Sequence, residues 1–97
     1  MKFQELINRS DFLKDKFKDL EDYFKEIEIQ GITNNSKNVK KNFIFFTFIG
    51  NKTNGNLFIN EARKNGAKII ISQEKKTKDI IKLPNKDYSL IYSHLCS

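Results

Sequence analysis

The side chains able to do chemistry in this chain are few, and they gather in two polar loops. Asn34, Asn35, Ser36 and Lys37 follow one short apolar segment, and Gly50-Asn51-Lys52-Thr53-Asn54-Gly55 follows another. Amides, hydroxyls and free backbone N–H groups suit a ring edge that alternates acceptor, donor and acceptor, as the uracil edge does. Lys37 and Lys52 would suit a pyrophosphate. The same residue types also make ordinary turns, because Asn and Ser bond nearby backbone and Asn and Gly accept left-handed conformations. Residue type alone leaves both readings open.

Catalytic chemistry is thinly represented. His94 is the only histidine and Cys96 the only cysteine, two positions apart near the end of the chain. A structural zinc site wants four ligands, and a nucleophile with its base wants a third, orienting group. The pair supplies neither. Gly50 and Gly55 have the spacing of a phosphate loop, but Asn56 and Leu57 stand where Lys and Ser or Thr must follow. No catalytic residue, metal ligand or bound cofactor is expected within the chain.

The loops must be held by an α/β framework. Leu13, Phe17, Leu20, Phe24 and Ile27 are spaced four, three, four and three, one stripe of an amphipathic helix. Ser10-Asp11 is a helix N-cap signal, which predicts helices near 2–9 and 11–24. Alternation from Glu26 predicts a half-buried strand over 27–33. Phe43 to Ile49 is almost unbrokenly apolar, as in a strand covered on both faces. A helix over 56–65, stopped by Asn65-Gly66, and a strand over 67–72 complete a βαβ unit. Residues 75–86 read as a polar connector and 88–92 as a last strand. The expected fold is one small α/β domain over 1–97, its sheet mixed or mostly parallel with flanking helices. In such sheets ligands gather outside the carboxyl ends of the strands, where both polar loops fall.

Composition narrows the class. The 97 residues allow a single core, and 38% hydrophobic content with nine Phe is enough to build it. No apolar run approaches the ~20 residues that span a bilayer. Met1-Lys2-Phe3-Gln4-Glu5 lacks the features of a secretory signal, and one cysteine permits no internal disulfide. Both favour a cytoplasmic setting. The net charge of +6 is uneven, −2 over residues 1–30 and +8 over 31–97. A basic nucleic-acid-binding domain is therefore an alternative. Against it, 16 of the 18 basic residues are Lys, as an AT-rich genome would encode, and the Phe43–Ile49 run is too apolar for a solvent-facing stacking platform.

Residues 31–71, taken together, resemble the N-terminal domains of the Mur ligases, the MurE type first and the MurF type second. Those domains carry a short strand, a D-S-R-x-V-x-P-G-D-L-F-like segment, G-x-x-x-D-G-x-x-F-I, and an A-x-x-x-G-A-x-x-x-V-like stretch. The corresponding text here is Asn35-Ser36-Lys37-Asn38-Val39 onward to Phe45, then Gly50 to Ile59, then Ala62 to Ile71. Order and gaps agree without insertions. The departures are Asn35 and Lys37 for Asp and Arg, Lys41-Asn42-Phe43 for Pro-Gly-Asp, Asn51 for a frequent His, and Asn54 for Asp.

The resemblance implies a domain that binds the uridine-diphosphate end of UDP-N-acetylmuramoyl-peptide in peptidoglycan precursor synthesis. By matching position, Asn34, Ser36 and Lys37 would contact it from one loop, and Asn51, Lys52 and Thr53 from the other. Gly50 and Gly55 would permit close backbone approach. ATP and magnesium are implied only for a whole ligase, in a central domain beyond these residues, with a C-terminal domain bringing the amino acid. The partners implied are the UDP-linked peptide and those further domains. A stand-alone nucleotide-sugar-binding module would use the same loops.

Overall fold

The computed structural model describes residues 1–48, 55–73, 76–84 and 86–97. Four strands form one sheet in the order β1-β2-β3-β4: Gly31–Thr33, Phe43–Phe46, Ile69–Ser72 and Ile80–Lys82. Every neighbouring pair is parallel, with Thr33 opposite Phe45, Phe46 opposite Ile71, and Ser72 opposite Lys82. All four carboxyl ends therefore point the same way. A 3-10 turn (Ser36–Asn38) and helix α4 (Gly55–Asn65) pack together in the crossovers from β1 to β2 and from β2 to β3. The other helices are α1 (Phe3–Ile7), α2 (Asp11–Lys16), α3 (Asp22–Lys25) and α5 (Tyr88–Cys96).

Strand alternation divides the core into two layers. Ile44, Phe46, Ile69, Ile71 and Ile81 face a large cluster with Phe3, Leu13, Phe17, Phe24, Tyr88 and Ile91 from the helices. Phe45, Ile70 and Ile80 face a smaller one with Val39, Ile59 and Ala62 under α4. The central place of β2 and the burial of Ile44 to Thr47 bear out the reading of Phe43–Ile49 as a strand covered on both faces. Regular pairing stops sooner than expected, at Phe46, although Thr47 N–H still donates to the Ile71 carbonyl at 2.9 Å. Phe48 is 41% exposed, and Ile49 lies outside the described residues.

Three expectations need correction. The helix predicted over 11–24 is two short ones, α2 and α3, with a turn between. Leu13, Phe17, Leu20 and Phe24 are all buried nonetheless. Periodicity reported which side chains reach the core, and a compact turn kept them in phase. The strand predicted over 27–33 is in the sheet only from Gly31. Its first half lies along the N-terminus: Ile29 N–H donates to the Met1 carbonyl at 2.7 Å, and Glu28 forms an antiparallel bridge with Lys2.

The last correction is the largest. Residues 88–92 begin helix α5, and the fourth strand is Ile80–Lys82, inside the stretch read as a connector. Tyr88-Ser-Leu-Ile-Tyr alternates, yet the buried residues are Tyr88, Ile91 and Leu95, spaced three and four, while Leu90 is exposed. Two isoleucines between Asp79 and Lys82 were too short a run to mark a strand by pattern. Arg63 of α4 fixes the entry to β4 by a two-pronged ion pair with Asp79, both contacts 2.8 Å. That pair draws the Asp79 carboxyl below its ordinary range.

Candidate functional site

The loop leaving β1 is built by its own polar side chains. Thr33 Oγ1 accepts from Asn35 N–H at 3.1 Å, and Asn35 Oδ1 accepts from Lys37 N–H at 3.0 Å, capping the 3-10 turn. Helix α4 then fixes the loop from below. Ser36, only 4% exposed, donates its hydroxyl proton to a Glu61 carboxylate oxygen, and Asn65 Nδ2 donates to the Ser36 carbonyl at 3.0 Å. Asn34 and Lys37 remain exposed on either side of that anchored serine. A depression of about 500 Å³ lies beside it between the turn and α4, lined by Lys37, Phe58, Asn60, Glu61 and Lys64.

Aromatic side chains brace the neighbouring strand ends. Tyr88, at the start of α5, donates its buried hydroxyl to the Thr47 carbonyl at 2.6 Å and lies 3.0 Å from the Ile71 carbonyl. Phe46, Phe48, Tyr88 and Tyr92 form one cluster, with ring centroids 4.5 to 5.5 Å apart. Burial, and then the adjacent Cys96 thiol, raise the Tyr92 hydroxyl above its ordinary range, with the Asn34 backbone opposing them. The Tyr92 hydroxyl thus lies near the Asn34 backbone of the β1 loop. The Thr47 hydroxyl is buried and has no hydrogen-bond partner among the described residues.

Burial also holds the Tyr88 proton well above the tyrosine reference of 10.0. The folded state then keeps a proton that the unfolded chain releases above about pH 10, so stability is complete below that pH and falls as pH rises further. Tyr88→Phe should remove much of this alkaline loss, and at neutral pH should cost about 1–3 kcal/mol, chiefly because the Thr47 carbonyl loses the hydroxyl that donates to it. Urea unfolding of both proteins at neutral and alkaline pH checks it. Equal alkaline losses would contradict the assignment.

Of the residues singled out by sequence, Asn34, Ser36 and Lys37 fall together in the β1 loop, and Gly55 opens α4. Gly50, Asn51, Lys52 and Thr53 lie outside the described residues. Glu61, Asn65, Tyr88 and Tyr92 were not legible as parts of this region, because each meets it only through a tertiary contact. His94 stacks on Phe12 at 4.4 Å, with Nδ1 3.4 Å from Ser10 Oγ. Among the described residues no group of three or more His, Cys, Asp or Glu could hold a metal ion, and no helix is long and apolar enough to cross a membrane.

Comparison with known proteins matches this geometry to one family. A family model described as "Mur ligase family, catalytic domain" matches residues 28–94. The UDP-N-acetylmuramoyl-L-alanyl-D-glutamate--2,6-diaminopimelate ligase of Rickettsia typhi is 42% identical over 64 residues, covering 66% of this chain and 13% of that protein. The ligase of the same name from Clostridium tetani is 42% identical over 72 residues, 67% of this chain and 15% of that protein. The chain therefore spans about an eighth of the length of such relatives. Among solved structures, the MurF ligase of Thermotoga maritima, in complex with ADP, superposes with a TM-score of 0.54 at 28% identity, covering 68% of this chain and 16% of that one. MurF from Acinetobacter baumannii has the same fold, with a TM-score of 0.52 at 21% identity over 69% of this chain and 15% of that one. With a family match over more than two thirds of its residues and a four-stranded parallel sheet that superposes on solved members, the chain belongs to the Mur ligase family.

Proposed function

We propose that residues 1–97 are a UDP-binding domain of the MurE type. It would hold the uridine-diphosphate end of UDP-N-acetylmuramoyl-peptide during peptidoglycan precursor synthesis in the cytoplasm. One observation carries the reading: the loop Asn34–Lys37 is pinned at the carboxyl end of β1, directly beside the carboxyl end of β2. That is where ligands gather in open parallel sheets. Asn34 and Ser36 would take the uracil edge and Lys37 a phosphate. Gly50, Asn51, Lys52, Thr53 and Gly55 are assigned to the other wall through the family motif alone. The diaminopimelate ligases among the relatives support the MurE type.

The chemistry of amide formation would lie elsewhere. No phosphate-loop motif occurs in the chain, and ATP and magnesium would act in a central ligase domain. The contribution of this domain would be positional. Remote binding lowers the entropic cost of placing the peptide carboxylate, without itself accelerating bond formation.

Titration with UDP-N-acetylmuramoyl-peptide, followed by amide chemical shifts, should perturb Asn34–Lys37 and Gly50–Gly55. Losing one desolvated hydrogen bond costs about 1–3 kcal/mol, so Ser36→Ala should weaken binding roughly five- to a hundred-fold. Single-stranded DNA at matched ionic strength is the control. Broad, salt-sensitive shifts across 37–86 with DNA, and none with the uridine ligand, would overturn the reading.

A further inference from the structure

We propose that Glu61 sets the hydrogen-bond polarity of Ser36 and so makes the site select uracil over cytosine. This rests on the UDP-binding reading above and assigns a role to a residue that the family motif does not include. A serine hydroxyl has one proton and two lone pairs. In this chain the proton is committed to the Glu61 carboxylate, an acceptor with nothing to donate in return. What Ser36 can offer a ligand is then a lone pair only. The rotor cannot turn to suit another partner without abandoning a carboxylate, the stronger kind of acceptor.

The position of the hydroxyl is fixed as firmly as its polarity. Asn65 holds the Ser36 carbonyl one turn further along the same helix, and Asn35 caps the turn through Lys37 N–H. Two points on α4 therefore fix both the backbone and the side chain of one loop residue. Ser36 is almost fully buried, so a mismatched ligand atom could not be rescued by water. Uracil presents N3–H as the one donor on its pairing edge, between two carbonyl acceptors. Cytosine presents a bare N3 lone pair at the same place, which would face the Ser36 lone pair with no proton between them. Sites that hydrogen-bond a ligand N–H or O–H reject analogues lacking it far better than apolar pockets reject a missing methylene. Glu61 is thus a positioning residue: it touches Ser36 and acts on the ligand through it.

The test compares UDP with CDP on the wild-type chain and on variants at position 61, reading the ratio of affinities by calorimetry or amide shifts. Wild type should prefer UDP by roughly tenfold or more. Glu61→Met keeps a similar stem but frees the hydroxyl proton, and should bring the ratio to within about threefold, chiefly through tighter CDP binding. Glu61→Gln keeps an acceptor oxygen and should largely restore the preference. A general structural role for Glu61 would weaken both ligands equally and leave the ratio unchanged, which would overturn the inference while leaving UDP binding intact. Absence of UDP binding to the wild-type chain would instead sink the underlying reading, and this inference with it. Should Glu61→Met fail to fold, the wild-type chain with N3-methylated UDP decides. The methyl removes the ring donor and should abolish binding, and undiminished binding would overturn the inference.

Discussion

Gly66→Val is expected to destabilise the domain by about 3 kcal/mol or more, enough to leave a chain of ordinary stability close to unfolded. Gly66 ends α4 with φ at +116°, a backbone conformation that a β-branched residue adopts only under strain. Two helix-ending hydrogen bonds depend on that conformation, Gly66 N–H and Ala67 N–H both donating to the Ala62 carbonyl at 3.1 and 3.0 Å. Space is a second and independent obstacle. A Cβ at Gly66 would lie 2.7 Å from Lys41 Cα and 2.9 Å from Lys41 N, and backbone cannot move aside as a flexible side chain would. Strain and overlap each cost about 1–3 kcal/mol. The close approach exists because the Gly66 carbonyl accepts from Asn42 N–H at 2.9 Å, joining the end of α4 to the turn before β2. Asn42 is itself left-handed, with φ of 65°, and asparagine tolerates that conformation. Asn42→Gly should accordingly change stability by less than about 1 kcal/mol. Urea unfolding of both variants checks the pair. A loss below about 1 kcal/mol for Gly66→Val would mean that α4 and the Lys40–Asn42 turn are not held as tightly as described.

That glycine also marks how far the sequence could be read. Ala62 to Ile71 announced a helix, a left-handed stop and a strand, because helix propensity, a glycine stop and β-branched enrichment are local properties. Phe43 to Phe46 announced a central strand for the same reason. The segments read incorrectly are those where local pattern and tertiary environment disagree. Leu90 gave residues 88–92 a strand-like alternation, yet it is exposed on α5, and the true inward set of Tyr88, Ile91 and Leu95 runs past residue 92. Glu26 to Gln30 alternated because it pairs with the N-terminus, which no local pattern distinguishes from pairing in the main sheet. The candidate site divides in the same way. Asn34, Ser36 and Lys37 were legible as turn residues at a strand end. Glu61 was not, because its partner stands 25 positions earlier and nothing in an exposed-looking helix marks one carboxylate for a buried serine.

The second large effect is expected at Phe46, whose replacement by Ala should cost about 3–5 kcal/mol. Phe46 is fully buried in the last paired position of β2, and its ring meets Tyr88, Tyr92 and Phe48 at centroid distances of 4.5, 5.1 and 5.5 Å. Truncation would remove the ring's burial and leave a void that three large side chains can fill only by turning. Two of the three are constrained against doing so. Tyr88 is held by the Thr47 carbonyl, and the Tyr92 ring is packed between Phe46 and Phe48. Incomplete collapse is the condition under which cavity-forming substitutions reach the upper part of their range. Phe46→Leu, which keeps most of the volume, should stay below about 2 kcal/mol. The consequence extends past stability, because the Tyr92 hydroxyl of this cluster lies near the Asn34 backbone of the β1 loop. A Phe46→Leu chain that remains folded should therefore show amide shift changes at Asn34 as well as around Tyr88. Urea unfolding gives the stability difference, and the amide spectrum of the Leu variant gives the coupling. A Phe46→Ala loss near 1 kcal/mol would show the cluster relaxing freely, and an unmoved Asn34 amide would show that α5 does not brace the loop.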